Sequence, residues 1–263
     1  MKISGMSAVV TGAGSGLGAA TARALAREGA MVALLDTNLD AAKSVAEEIG
    51  GFAAYCDVSD PAVAGKALAS AAEHNGVPRI LVNCAGITIG RVPLTGGDAT
   101  ARFTAFEKVL RVNLNGTLIM LSLFADQMMG LDPLANGERG LVIMTASVAA
   151  YDGQIGMSGY SASKGGVVAL TLPAARELAA NGIRVNTIAP GYFETPILDG
   201  VPEYVREGVA SGFVFPRRFG TGEEYARLAA HIIENEMLNG ETIRLDGGMR
   251  LPPSFNTGGA NGC

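Results

Sequence analysis

Tryptophan is absent from this 263-residue chain, histidine occurs twice and cysteine three times. The two histidines, His74 and His231, lie far apart and away from the Gly-rich segments. Neither a His-based triad nor a His-rich metal site is therefore expected, and no metal is assigned. Both read as exposed helix residues. Cys56, Cys84 and Cys263 form an odd, widely spaced set without metal-ligand spacing. Such a set suits a reducing, cytoplasmic setting better than a disulfide framework. Positive charge is also short: 20 Lys and Arg stand against 25 Asp and Glu, net −5, with the cations scattered. A nucleic-acid partner needs a basic patch along the phosphate backbone and is not expected.

Long apolar runs are missing as well. Mean hydropathy is high at +0.28. Yet the best run, Gly116 to Ala125, is about half of the roughly 18 residues a membrane span needs. The surplus is expected in a core and in subunit interfaces, not in a membrane. A strand pattern begins within a few residues of Met1, so no targeting segment is expected.

What is present is a repeated alternation of short apolar runs and helical patterns. The runs are Ser7 to Thr11, Met31 to Leu35, Gly51 to Asp57, Ile80 to Asn83, Leu141 to Thr145, Arg184 to Ala189 and Glu241 to Leu245. They do not alternate cleanly between apolar and polar, as expected of strands buried on both faces. With helical spacing between them, as in Ala19 to Glu28, they predict one doubly wound α/β domain. Its parallel sheet has about seven strands and helices on both faces. Gly90 to Arg102 reads as a long polar loop, and Met129 to Gly140 as an insertion with turns at Asp132-Pro133 and Asn136-Gly137. The domain is expected over 1–251. A tail over 252–263, with Pro-Pro and Gly-Gly, is either disordered or pinned on a neighbouring subunit.

The first strand runs into Gly12-Ala13-Gly14-Ser15-Gly16-Leu17-Gly18, followed by a helix. Glycines allow the tight turn and close approach that a pyrophosphate at a helix N-terminus needs. A purely structural turn would look similar. Asp36, however, ends the second strand 18 residues after Gly18. A carboxylate there accepts from both ribose hydroxyls and repels a 2′-phosphate. Neither Ser15 nor Thr37 is a cation that would rescue that phosphate, so NAD is favoured over NADP. Further on, Tyr160 and Lys164 lie four apart on a predicted helix and share a face. A fixed Lys164 charge would favour the phenolate and lower the Tyr160 pKa, making it a proton shuttle. The pattern is common on ordinary helices. Ser147 adds weight, since it follows the fifth strand, 13 residues before Tyr160, where its hydroxyl can bond a substrate oxygen.

The Gly-x-x-x-Gly-x-Gly spacing, Asn83-Cys84-Ala85-Gly86, Tyr160-x-x-x-Lys164 and Pro190-Gly191-Tyr192-Phe193-Glu194-Thr195 together resemble the short-chain dehydrogenases/reductases over essentially the whole chain. Cys84 departs from the family's Asn-Asn-Ala-Gly. The resemblance implies a Rossmann fold and a catalytic tetrad of Asn113, Ser147, Tyr160 and Lys164. In it, Tyr160 moves the hydroxyl proton, Lys164 orients the ribose, and a water on Asn113 relays the proton outward. It also implies cofactor contacts from Gly12, Ser15, Gly16, Leu17 and Gly18, and from Asp36. Asp57 and Val58 would meet the adenine, with Cys84, Ala85 and Gly86 beyond. Tyr160, Lys164, Pro190, Gly191, Phe193 and Thr195 would surround the nicotinamide half.

One subfamily matches further. Gly153-Gln154-Ile155-Gly156, Thr171-Leu172-Pro173, Phe215-Pro216-Arg217-Arg218-Phe219-Gly220 and Ile243-Arg244-Leu245-Asp246-Gly247 resemble the type-2 3-hydroxyacyl-CoA dehydrogenases. This implies a short 3-hydroxyacyl-CoA as the alcohol substrate, with Ser147, Gln154, Met157 and Tyr160 in its pocket and a mobile lid over about 193–213. Arg206, Arg217 or Arg218 would face CoA phosphates unless they are solvated or in subunit contacts. A hydroxysteroid, an aryl carbinol or a cyclic diol fits the same apolar residues, and a silent NAD-binding scaffold is the reading from another class. By the same resemblance the chain forms a homotetramer.

Overall fold

The computed structural model describes residues 1–195, 203–210 and 212–254. Seven strands form one parallel sheet: β1 (Ser7–Thr11), β2 (Met31–Asp36), β3 (Phe52–Tyr55), β4 (Ile80–Asn83), β5 (Gly140–Thr145), β6 (Ile183–Pro190) and β7 (Thr242–Leu245). Their spatial order is β3-β2-β1-β4-β5-β6-β7. The chain runs outward in one direction from β1 and in the other from β4. The crevice beyond the carboxyl ends of β1 and β4 is thus a topological switch point, where doubly wound sheets bind ligands.

Residue alternation within the strands explains the two-sided burial. In β1, Ala8 and Val10 enter one core while Val9 enters the other; Leu34 and Leu35 of β2 divide in the same way, as do Ile143 and Met144 of β5. The first face is covered by α1 (Gly16–Arg27), α2 (Leu39–Ile49) and α8 (Gly222–Glu234), through Leu25, Val45 and Ile232. The second is covered by α3 (Pro61–Asn75), α5 (Gly116–Met129) and α6 (Ser158–Ala179), through Leu68, Phe124 and Val167. Strands buried on both faces leave no room for polar alternation. Among the described residues, no helix is long and apolar enough to cross a membrane.

Three expectations change. The segment predicted as loop to Arg102 turns helical at Ala99, where α4 (Ala99–Leu110) starts on an Asp98 cap that accepts from the Thr100 and Ala101 amides. Only Val109 of α4 is buried and Phe103 is 68% exposed, so the apolar period that marks a packed helix is missing. A π-helical turn over Arg111–Asn115 joins α4 to α5 without a break. The third strand is shorter than predicted, because β3 is the sheet edge and pairs only with β2. The start of the tail is pinned on its own chain, at the loop after β5, as described below; residues 255–263, with Cys263, lie outside the described residues. So do 196–202 and 211 of the expected lid, whose helix α7 (Glu203–Ala210) is described. His74 and His231 are exposed, on α3 and α8.

Candidate active site

The carboxyl ends of β1, β4, β5 and β6 open onto a cleft of about 580 Å³. At one end β1 passes the chain to α1. Gly12 holds φ +62°, and a Cβ on it would stand 2.8 Å from the Ala85 backbone; a Cβ on Gly18 would strike the Gly12 carbonyl oxygen. Only glycine fits at either position. Ser15 caps α1 with extended backbone, but its side chain accepts no bond from the helix and no acidic residue occupies the first turn. Ser15, Gly16, Leu17 and Gly18 therefore line the cleft with helix amides free to receive a phosphate.

Asp36 stands on the rim. Its Oδ2 accepts from the Gly14 amide at 2.9 Å and its Oδ1 from the Asn38 amide at 2.8 Å. Those bonds fix the carboxylate while each oxygen keeps accepting capacity. Asp57 is held in the same manner by the Ser59 amide and hydroxyl, 2.9 and 2.7 Å away. These bonds keep its carboxyl below the usual carboxylate range. Its neighbour Val58 is buried against Gly116, where a Cβ would come within 2.6 Å of it.

In the middle of the cleft, the Ala85 amide donates to Thr11 Oγ1 at 3.1 Å. Cys84 sits beneath, its thiol 3.8 Å from the hydroxyls of both Tyr225 and Thr145, which are 2.6 Å from each other. Burial pushes this thiol up, so it stays protonated as a packing group.

Tyr160 and Lys164 occupy the first turns of α6. Lys164 Nζ donates to the Thr145 carbonyl oxygen at 2.7 Å and lies 5.9 Å from the centre of the Tyr160 ring. Ser147 caps a 3₁₀ turn over Val148–Ala150, with its Oγ accepting from the Ala149 amide at 3.2 Å. The Ser147 side chain also lies beside the Tyr160 phenol and favours its ionised form. The sequence predicts a phenol lowered by Lys164, and here the structure differs. Burial raises the Tyr160 phenol, the neighbouring Ser147 side chain partly offsets this, and Lys164 is anchored on the Thr145 carbonyl. Burial also lowers Lys164 itself, to about 8.

Asn113 does not line the cleft. Fully buried in the π-turn, its Nδ2 donates to Ile87 O at 3.0 Å and Ser163 Oγ at 3.1 Å, and its Oδ1 accepts from the Ile87 amide at 2.8 Å. Its main-chain oxygen accepts from the Thr117 hydroxyl at 2.8 Å. This residue pins the loop after β4 to α6; widened turns of this kind recur at functional sites.

Every other residue expected at the cofactor or substrate lines the cleft: Asp57, Val58, Cys84, Ala85 and Gly86, then Pro190, Gly191, Phe193 and Thr195, with Gln154 and Met157 beside Tyr160. Among the lining residues that the sequence did not assign to the site are Thr88, Lys108, Arg111, Tyr192 and Leu251. Tyr192 directly follows Pro190-Gly191 and was legible as a neighbour of the site. Leu251 carries no local signal, since only the fold brings it there. Of the three candidate arginines, Arg206 pairs with Glu194 at 2.7 Å and Arg218 with Glu224 at 2.8 Å; Arg217 is exposed.

The profile of the family described as short chain dehydrogenase matches residues 6–205. The 3-hydroxyacyl-CoA dehydrogenase type-2 of Homo sapiens is 46% identical over 256 residues, covering 96% of this chain and 98% of that protein. The protein of the same name from Drosophila melanogaster is 44% identical over 248 residues, covering 93% and 97%. A crystal structure of 3-hydroxyacyl-CoA dehydrogenase type-2 from Mycobacterium avium superposes with a TM-score of 0.87 at 37% identity, covering 95% of this chain and 98% of that one. The chain belongs to the short chain dehydrogenase family and is an oxidoreductase with a Rossmann-like fold.

Proposed function

We propose that this enzyme interconverts a short 3-hydroxyacyl-CoA and its 3-ketoacyl-CoA with NAD. The observation that carries the reading is one cleft that brings Ser147, Tyr160 and Lys164 together and has an anionic rim at Asp36. The Gly12–Gly18 turn, the open N-terminus of α1 and the fixed Asp36 carboxylate fit a dinucleotide whose ribose carries free hydroxyls. Asp57 and Val58 suit its adenine, and Cys84, Ala85 and Gly86 its middle. Pro190, Gly191, Phe193 and Thr195 suit its nicotinamide. Hydride transfer to and from the alcohol carbon is the chemistry that NAD would supply when held there.

In reduction, Tyr160 donates its phenol proton to the ketone oxygen while Ser147 donates a hydrogen bond to the same atom. In oxidation the phenolate takes that proton back. Lys164 spends one N–H on Thr145, and its other two are available to the cofactor ribose and the developing phenolate. Asn113 completes the tetrad as a positioning residue that holds the β4 loop and α6 in register. Gln154 and Met157 border the acyl group. The relatives' names support the thioester class. In the same reading residues 1–251 act as one domain, and the enzyme is a cytoplasmic homotetramer with β7 at an exposed sheet edge.

Initial rates with acetoacetyl-CoA and NADH, run beside NADPH, test the proposal. Turnover with NADH is expected. No thioester turnover, with turnover of an aryl or steroid ketone instead, would discard the substrate class and keep the site.

A further inference from the structure

The loop that carries Gln154 and Met157 is tied to the chain's C-terminal stretch at three points. The Gln154 side-chain amide donates to Pro252 O at 3.0 Å, and the Ile155 backbone amide donates to Pro253 O at 2.9 Å. At the loop's start, Asp152 pairs with Arg244 of β7 at 2.5 Å; Arg244 in turn bonds Asp246 at 2.7 Å and Met249 O at 3.2 Å. Gln154 Oε1 accepts from the Tyr192 hydroxyl at 3.4 Å. Both ends of the Gln154 amide are thus engaged within the wall, which leaves little of it for a substrate. Leu251, half-buried between these ties, lines the cleft with Gln154, Met157 and Tyr160.

We infer that Leu251–Pro253 forms the outer wall of the substrate pocket and sets the longest chain the site accepts. The inference rests on the proposed ketone substrate and adds the residues that measure its length. The carbonyls of Pro252 and Pro253 hold the loop in place, and proline suits that task because its fixed φ keeps the segment extended. With the loop held, Leu251 is kept on the cleft lining beside Gln154, Met157 and Tyr160. Removing the segment removes an apolar wall and frees the loop together.

The test compares the full chain with a chain ending at Ser254 and one ending at Arg250, each first checked for NADH binding. The readout is the ratio of kcat/KM for 3-ketodecanoyl-CoA to that for acetoacetyl-CoA, together with hydrogen exchange at the Ile155 amide. The chain ending at Ser254 should match the full chain. The chain ending at Arg250 should lose Ile155 protection and raise the ratio at least about tenfold, the discrimination a few methylenes give in an apolar pocket. Full-length Leu251→Trp keeps both carbonyl bonds and should lower the ratio, which decides the matter if the shorter chain does not fold. An unchanged ratio in both variants, or a protected Ile155 amide without Pro253, would overturn the inference. If the full chain reduces no thioester, the proposed substrate falls by itself. The same ratio is then read on short and long alkyl methyl ketones.

Discussion

Lys164 reaches past Tyr160 to the main chain, with its Nζ 2.7 Å from the Thr145 carbonyl oxygen and 5.9 Å from the centre of the Tyr160 ring. Lys164 is 4% exposed and has no carboxylate partner among the described residues. Its charge is therefore held at a cost that burial imposes and one carbonyl only partly offsets.

Lys164→Met should accordingly stabilise the cofactor-free protein while abolishing turnover. Burial lowers the folded-state pKa from 10.5 to about 8, which at about 1.4 kcal/mol per pKa unit limits the gain to about 3 kcal/mol at pH 7. The sign follows from proton counting. Between about pH 8 and 10.5 the unfolded chain binds the extra proton, so the native enzyme gains stability as pH rises through that window. The advantage of the variant should shrink over the same range. Chemical denaturation at pH 7 and at pH 10 checks it; a variant less stable than the parent at pH 7 would refute the burial cost.

Asp36→Asn should narrow the proposed preference for NADH over NADPH. The carboxylate is fixed by the Gly14 and Asn38 amides, so a 2′-phosphate meets a charge that does not turn aside. Removing like-charge repulsion at the rim of a cleft should raise relative kcat/KM for NADPH by about ten- to a hundredfold. Rates with both cofactors on one ketone report it. An unchanged ratio would assign cofactor choice to other residues.

Asn113→Ala should destabilise the fold by about 2–4 kcal/mol, because it leaves buried groups on Ile87 and Ser163 without their partner. Asn113→Asp keeps the acceptor for the Ile87 amide, and the neutral carboxyl that burial favours keeps one of the two donated bonds. It should recover part of that loss in urea midpoints. Equal midpoints for the two variants would contradict the pinning role.

Much of this was legible in the sequence, for a physical reason. Strands buried on both faces leave apolar runs, and β1 and β4 match their predicted limits residue for residue. Residues at the carboxyl ends of such strands meet at the switch point. Hence motifs as distant as Gly12, Ser147 and Pro190 line one cleft. Helix α4 escaped because it buries one side chain. Leu251 escaped because its place depends on carbonyl bonds from Pro252 and Pro253, which no side-chain pattern announces. The Tyr160 phenol is raised instead of lowered because burial dominates it, and spacing on a helix reveals neighbours but not burial.

The most direct measurement is NADH oxidation with acetoacetyl-CoA by the parent enzyme and by Tyr160→Phe, alongside NADH binding to each. Turnover in the parent, a loss of about 10²–10⁴-fold or more in the variant and equal NADH affinity are predicted. Comparable turnover in the Tyr160→Phe enzyme would show that the proton reaches the substrate by another route and would contradict the role assigned to Tyr160.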